Sequence, residues 1–307
     1  MLSLLVFAYT ASTVVNKVAS KTCSNVVAAK SNRIKYFVYL TLVGIIACGA
    51  LFVINGFKIS FTLPTLYYAL AFSVICMRSV ICHLEMFKLT NITGALVLSS
   101  MGSLVATSAI GFFLFREDVS GRTLLKIGIM LIPAVLTLIE AGQKSNDSKK
   151  KERASASLKL VIFTLLLVVA GSGNTIIIKL YSNAENVTDI SSMFFFTNVI
   201  QAVISLALLS FFILKRRRGE SAQVQIRSAV GIFRPIPLLA VMANTVASNA
   251  TSLLGAKLIE RMAVSLYTPL SSAITIIAGV IASFIYREHH GVLFYLSAII
   301  AIVAVVI

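Results

Sequence analysis

The third apolar run of the chain, residues 63–87, carries Arg78 near its middle and His83 and Glu85 towards its end. A charged side chain inside a bilayer is expensive, and it faces a cavity or a partner. Arg78 and Glu85 are seven residues apart, so on a helix they share nearly one face, about 10 Å apart along the axis. They are expected to point into one cavity without touching. Arg78 has the chemistry to bind a carboxylate or phosphate, and His83 or Glu85 to titrate and couple solute movement to protons. The plainer alternative is an Arg78 bridge to another helix, with His83 and Glu85 at an interfacial helix end. The eighth run, residues 231–256, places Asn244, Ser248 and Thr251 on one helical face, as spacings of four and three residues require. That face is expected to line a polar pathway, although small polar residues also serve as helix–helix contacts in lipid. Asn16 in the first run, Asn174 beside Gly171 and Gly173 in the sixth, and Asn198 and Gln201 one turn apart in the seventh extend the candidate substrate-binding set. Ser100 in the fourth run and Ser271, just after Pro269 in the ninth, complete it. Pro269 is expected to kink its helix.

These residues need elements to hold them, and composition limits what those elements can be. The 307 residues are 58% hydrophobic and 12% charged, about half the charge of a soluble domain; mean hydropathy is +0.94. Cutting at charged and turn-forming clusters leaves ten apolar segments, at 1–20, 34–54, 63–87, 91–115, 122–141, 158–178, 191–214, 231–256, 262–286 and 291–307. Each is near the roughly 20 residues a helix needs to cross a bilayer, and too long for the ~9–11-residue strands of a membrane barrel. The expected fold is therefore an all-α integral membrane protein of ten transmembrane helices.

The longest polar stretch, residues 142–157, contains Lys144, Lys149, Lys150, Lys151, Glu152 and Arg153 and divides the chain into five segments and five. This gives a first repeat over 1–141, a charged linker over 142–157 and a second repeat over 158–307. Two correspondences support the division. Ser12-Thr13-Val14-Val15-Asn16-Lys17-Val18-Ala19-Ser20 in the first segment matches Asn174-Thr175-Ile176-Ile177-Ile178-Lys179-Leu180-Tyr181-Ser182 in the sixth, sharing Thr, a β-branched pair, Lys and Ser in register. Phe113-Leu114-Phe115-Arg116-Glu117 closes the fourth segment as Phe284-Ile285-Tyr286-Arg287-Glu288 closes the ninth. An odd number of helices per half inserts the second half upside down relative to the first, which is the inverted-repeat plan of carriers with a site between halves near the midplane.

An aromatic-rich apolar helix ending in an acidic turn, once per half, resembles the drug/metabolite transporter superfamily and most closely its bacterial EamA-like members. The turns Arg116-Glu117-Asp118-Val119-Ser120-Gly121 and Arg287-Glu288-His289-His290 fit one form of the family's turn. The preceding Leu89-Thr90-Asn91-Ile92-Thr93-Gly94-Ala95 and Met262-Ala263-Val264-Ser265-Leu266-Tyr267-Thr268-Pro269 also resemble it. The resemblance implies a ten-helix carrier of metabolites or drugs in a bacterial cytoplasmic membrane, without naming the substrate.

The net charge of +16 comes from 27 Lys and Arg against 11 Asp and Glu. Most of the basic residues fall in odd-numbered loops, including Lys21, Lys30, Arg33, Lys35, the linker cluster and Lys215-Arg216-Arg217-Arg218. The positive-inside rule puts those loops in the cytoplasm and both termini outside, whereas the family pattern has cytoplasmic termini. Basic patches interleaved with aromatics are absent, so no nucleic-acid partner is expected. Cys23, Cys48, Cys76 and Cys82 form no CxxC pair, and neither metal nor cofactor is expected. There is no GxxxxGK[ST] motif for ATP-driven transport and no HExxH or intramembrane Asp pair for an enzyme. The expected function is a gradient-driven secondary transporter of a small polar metabolite or drug, working by exchange or with protons. The partners expected are that solute, membrane lipid and, as an open alternative, a second copy of the chain. A membrane-embedded enzyme and a non-transporting receptor or scaffold are the rival classes.

Overall fold

The computed structural model describes residues 2–27, 33–89, 92–115, 150–216, 230–287 and 292–306, with scattered positions between 121 and 136. Among them the regular structure is entirely helical: α1 (Leu2–Val27), α2 (Arg33–Ile54), α3 (Leu63–Leu89), α4 (Ile92–Phe115), α5 (Lys150–Ser182), α6 (Ile190–Arg216), α7 (Pro235–Arg261), α8 (Val264–Ile285) and α9 (Val292–Val306), with a short 3₁₀ turn at Gly231–Phe233 before α7. The fifth expected segment, 122–141, lies mostly outside the described residues, as do Arg116, Glu117 and Glu288 of the two acidic turns.

Seven helical spans among the described residues are long and apolar enough to cross a membrane, from Leu2–Asn25 to Leu266–Ile285. Phe7, Ile45, Val53, Val169, Val203 and Leu239 are all well exposed on the outside of the bundle. A water-soluble monomer does not carry so much contiguous apolar surface, whereas lipid accepts it and forces every backbone group into intrahelical bonds. The chain is a multi-pass integral membrane protein.

The helix boundaries follow local chemistry. Pro235 opens α7 after the extended Arg234, using a position whose N–H has no intrahelical partner in any case. Asp189 caps α6: its carboxylate accepts the Ser192 backbone N–H at 3.1 Å and the Ser192 hydroxyl at 2.8 Å. α5 starts at Lys150, eight residues before the expected segment boundary at 158. Residues 150–157 are too charged for lipid, but Lys, Glu, Arg and Ala favour the helix. The helix therefore begins inside the stretch assigned to the linker, while its apolar span begins at Val161. α8 runs unbroken through Pro269.

Packing sets which faces meet. The principal contacts are α1 on α7, α3 on α5, α2 on α6 and α4 on α8, followed by α4 on α5, α3 on α6, α1 on α8 and α2 on α7. Helices in lipid gain little from hydrophobic exclusion and depend on close approach through small residues. Where α2 meets α6, a Cβ at Gly44 would stand 2.8 Å from Ala202 Cβ and 3.0 Å from the Asn198 carbonyl oxygen, so the two backbones touch almost directly.

One end of the bundle is tied by hydroxyl groups. Thr65 Oγ1 lies 3.1 Å from both Tyr181 Oη and Thr188 Oγ1 and accepts the Thr188 N–H at 3.1 Å. Tyr181 Oη donates to the Thr188 carbonyl at 2.9 Å, and the Ser60 N–H donates to Ser192 Oγ at 3.3 Å. These bonds join the α2–α3 and α5–α6 connections above an aromatic layer that includes Tyr9, Phe72, Tyr181, Phe194 and Tyr267. Towards the other end a second apolar cluster forms around Cys23, Tyr39, Leu40, Met77, Ile232 and Val241. The polar interior lies between the two.

Candidate functional site

A cavity of about 220 Å³ occupies the centre of the bundle. It is walled by α1, α2, α3, α5, α6 and α7 and is rich in amides. Asn16, Asn174, Asn198, Gln201, Asn244 and Asn249 line it, with Ser248, Tyr39 and Cys76. Several of these groups are fixed by one another. Asn244 Nδ2 donates to Tyr39 Oη at 2.7 Å, and Ser20 Oγ lies 2.7 Å from Asn244 Oδ1 and 3.0 Å from Asn16 Oδ1. This chain of polar contacts links α2, α7 and α1. Across the cavity Asn198 Nδ2 donates to Asn249 Oδ1 at 3.0 Å, and the Asn249 amide donates to the Thr245 carbonyl at 2.9 Å. Side-chain amides present both donors and acceptors, so the wall suits a neutral polar moiety such as a polyol, an amide or a heterocycle edge.

A second cavity, of about 180 Å³, adjoins the first and is walled by α1, α3, α4, α5 and α8. Its lining is dominated by hydroxyls, among them Ser99, Ser100, Ser103, Thr107, Ser271 and Thr275. Lys17, Ser79 and His83 border both cavities. His83 Nδ1 lies 3.0 Å from the Ser79 carbonyl oxygen.

The structure thus brings together most of the residues singled out in the sequence. Asn16, Asn174, Asn198, Gln201, Asn244 and Ser248 line the amide cavity, Ser100 and Ser271 the hydroxyl cavity, and His83 both. Three candidates fall elsewhere. Arg78 is exposed on the outside of α3 and lines neither cavity. Glu85 is half-buried and accepts a hydrogen bond from Tyr36 Oη. The cavity face of α3 is the row Phe72, Cys76, Ser79, His83, and at about 100° per residue Arg78 sits about 200° from Cys76 and Glu85 about 200° from His83. Arg78 and Glu85 do share a face, but not the cavity face. Thr251 bonds Ser12 Oγ at 2.8 Å and the Ala247 carbonyl at 2.8 Å, which makes it part of the α1–α7 contact.

Lys17 was not among the sequence candidates. Its signal was visible, a lysine well inside the apolar α1 span Leu2–Asn25, and it recurs as Lys179 in the matching motif. Lys179 borders neither cavity.

The fold and the two cavities define an all-helical, multi-pass membrane protein with a polar interior. Comparison with protein-family models and with curated protein sequences finds no match. Among solved structures that match is one described only as the crystal structure of a protein. It is 12% identical, the match covers 96% of each chain, and the TM-score is 0.56. At that identity the likeness is one of fold.

Proposed function

We propose that this protein is a secondary transporter that moves a small polar solute across its membrane by alternating access, driven by gradients through exchange or proton coupling. The observation that carries the reading is the amide-lined cavity itself, to which the N-terminal helices α1–α3 and the C-terminal helices α5–α7 both contribute. Intramembrane polar groups are costly and mark solute pathways, and carriers built from two repeats bind their solute where the repeats meet.

The packing pattern supports two inverted five-helix repeats, ten helices in all. Exchanging α1 with α5, α2 with α6, α3 with α7 and α4 with α8 turns the α1–α7 contact into α5–α3, α1–α8 into α5–α4 and α2–α7 into α6–α3, and leaves α2–α6 and α4–α8 unchanged. Every one of these contacts is present. A two-fold relation between halves generates that set of pairs. With the Arg-Glu turns, it makes the EamA-like branch of the drug/metabolite transporter superfamily the proposed family, and a bacterial cytoplasmic membrane the proposed location.

The experiment is efflux from proteoliposomes loaded with a mixture of amino acids, sugars, sugar phosphates, dicarboxylates and organic cations, read by mass spectrometry. A transporter releases one class faster than protein-free liposomes do. Uniform retention of every class, with an equivalent outer mixture supplied for exchange and with a proton gradient imposed, would refute the reading.

A further inference from the structure

Among the described residues no carboxylate lines either cavity, yet Lys17 borders both. Among the described residues no hydrogen bond or ion pair engages the Lys17 ammonium, and the ionisable neighbour in electrostatic reach is His83. A cationic side chain inside a bilayer without a protein counter-charge is a costly arrangement, and an organic cation entering here would meet like charge and no acid. An anionic group would meet the opposite.

The second cavity adds donors to that charge. Thr107 is 1% exposed and borders it, and its hydroxyl has no hydrogen-bond partner among the described residues. The hydroxyls of Ser99, Ser103, Thr175 and Thr268 point back to carbonyls of their own helices, Leu96 at 3.2 Å, Ser100 at 3.0 Å, Gly171 at 3.2 Å and Val264 at 2.8 Å. Carbonyls in helix interiors already accept a helical N–H, so such a hydroxyl can swing to a ligand without leaving a buried acceptor unpaired.

Resting on the transport reading, we propose that the hydroxyl-lined cavity is an anion subsite: Lys17 and the hydroxyls of α4, α5 and α8 hold a carboxylate or phosphate group of the solute, and the amide-lined cavity holds its neutral polar remainder. The transported solute is then a small organic anion with a polar body. The two cavities divide the recognition by chemistry, donors with a positive charge on one side of Lys17 and paired donors and acceptors on the other.

The test uses the purified full-length chain in detergent at matched ionic strength, with millimolar glycerol 3-phosphate, glutarate, tetraethylammonium or sorbitol as probes and thermal stability as the readout. At least one of the two anions is expected to raise the melting temperature while tetraethylammonium does not. Lys17→Met should lower the apparent affinity for that anion by about 10- to 100-fold, the range of a charge-assisted hydrogen bond. Lys17→Arg should retain part of the effect, and Lys179→Met, an intramembrane lysine away from the cavities, should retain all of it. The variants are compared only if they match the parent in size-exclusion profile; should Lys17→Met fail there, Thr107→Val and Lys17→Arg replace it, with weaker anion binding expected of both. The proposal is overturned if neither anion stabilises the parent, if tetraethylammonium or sorbitol does so instead, or if an anion stabilises Lys17→Met as much as the parent. Proteoliposome efflux separates the two readings. Release of a cation or neutral solute leaves transport standing and removes the anion site, whereas anion binding without release of any solute does the reverse.

Discussion

The contact between Tyr39 and Asn244 offers a direct measure of how tightly the polar interior is built. Tyr39 is 2% exposed and Asn244 8% exposed, and the amide nitrogen stands 2.7 Å from the phenol oxygen. The same amide accepts from Ser20 at 2.7 Å. Replacing Asn244 by Leu keeps the volume roughly constant and removes both bonds. Double-mutant cycles on hydrogen bonds between membrane helices average about 0.6 kcal/mol and reach about 1.7 kcal/mol. The two bonds together are thus worth about 1.2 kcal/mol on average and at most about 3.4 kcal/mol, while the Ser20 and Tyr39 hydroxyls keep Asn16 Oδ1 and the Cys23 thiol as partners. Asn244→Leu is expected to cost about 1–3 kcal/mol. Tyr39→Phe removes the bond to Asn244 together with the weaker contact to the Cys23 thiol and should cost about 1 kcal/mol by the same reasoning. The informative quantity is the coupling between them, expected at about 0.6–1.7 kcal/mol. Equilibrium unfolding of the four proteins in mixed micelles of increasing SDS content gives it. A coupling within about 0.3 kcal/mol of zero, the level at which independent sites add, would mean that α2 and α7 are not joined through this pair, and the argument for a preformed amide wall would fail with it.

Other perturbations test separate parts of the fold. Gly44→Ala should destabilise by about 1–3 kcal/mol, because the new methyl meets Ala202 and the Asn198 carbonyl, whereas Gly49→Ala on the same helix meets nothing within 4 Å and should be neutral or better in a thermal melt. Asp189→Ala should lower stability by about 1 kcal/mol through loss of the α6 cap, while Asp189→Asn preserves most of it. Burial pushes the Asp189 carboxyl up, but the hydrogen bonds from Ser191 and Ser192 outweigh it and hold the group below its ordinary 3.8. Its contribution is therefore complete above the titration of the unfolded carboxyl and is lost as pH falls through the lower folded value; melting curves of Asp189→Asn should lack that acid-side component. A variant retaining only Cys76 should react with a small methanethiosulfonate reagent, since its thiol borders the central cavity. One retaining only Cys23, which is 0% exposed, should not; equal labelling rates would contradict the cavity assignment.

How much of this was readable in the sequence depends on what enforces each feature. Lipid enforces the helices, because it offers no partner to a free backbone group, so α1, α2, α3 and α6 start and stop within a few residues of the expected segments, the C-terminal end of α1 excepted. Nothing enforces the N-terminal end of α5, where Lys150 to Ser157 leave the bilayer and helix propensity alone decides. Amides in apolar runs were legible as interior because no other environment in a membrane suits them, which is why Asn16, Asn174, Asn198, Gln201 and Asn244 all reach one cavity.

Charge alone was a weaker guide. A long side chain such as Arg78 can lie on the outer surface and extend its head towards the interface, so its presence says that a charge is accommodated, not on which side of the helix. What fixes the inner side of α3 is the row Phe72, Cys76, Ser79 and His83, three of them only weakly polar or apolar and inconspicuous in a hydropathy profile. Lys17 shows the converse. It attracts attention as a repeated motif residue, yet its partner in that motif, Lys179, lies away from both cavities. If the two halves descend from one ancestral five-helix unit, the motif records common origin, and the site uses only one of its two lysines. Which lysine reaches the cavities is set by which helix face the crossing of α1, α3 and α7 turns inward, a property of packing that one strand of sequence carries only in the spacing of its small residues.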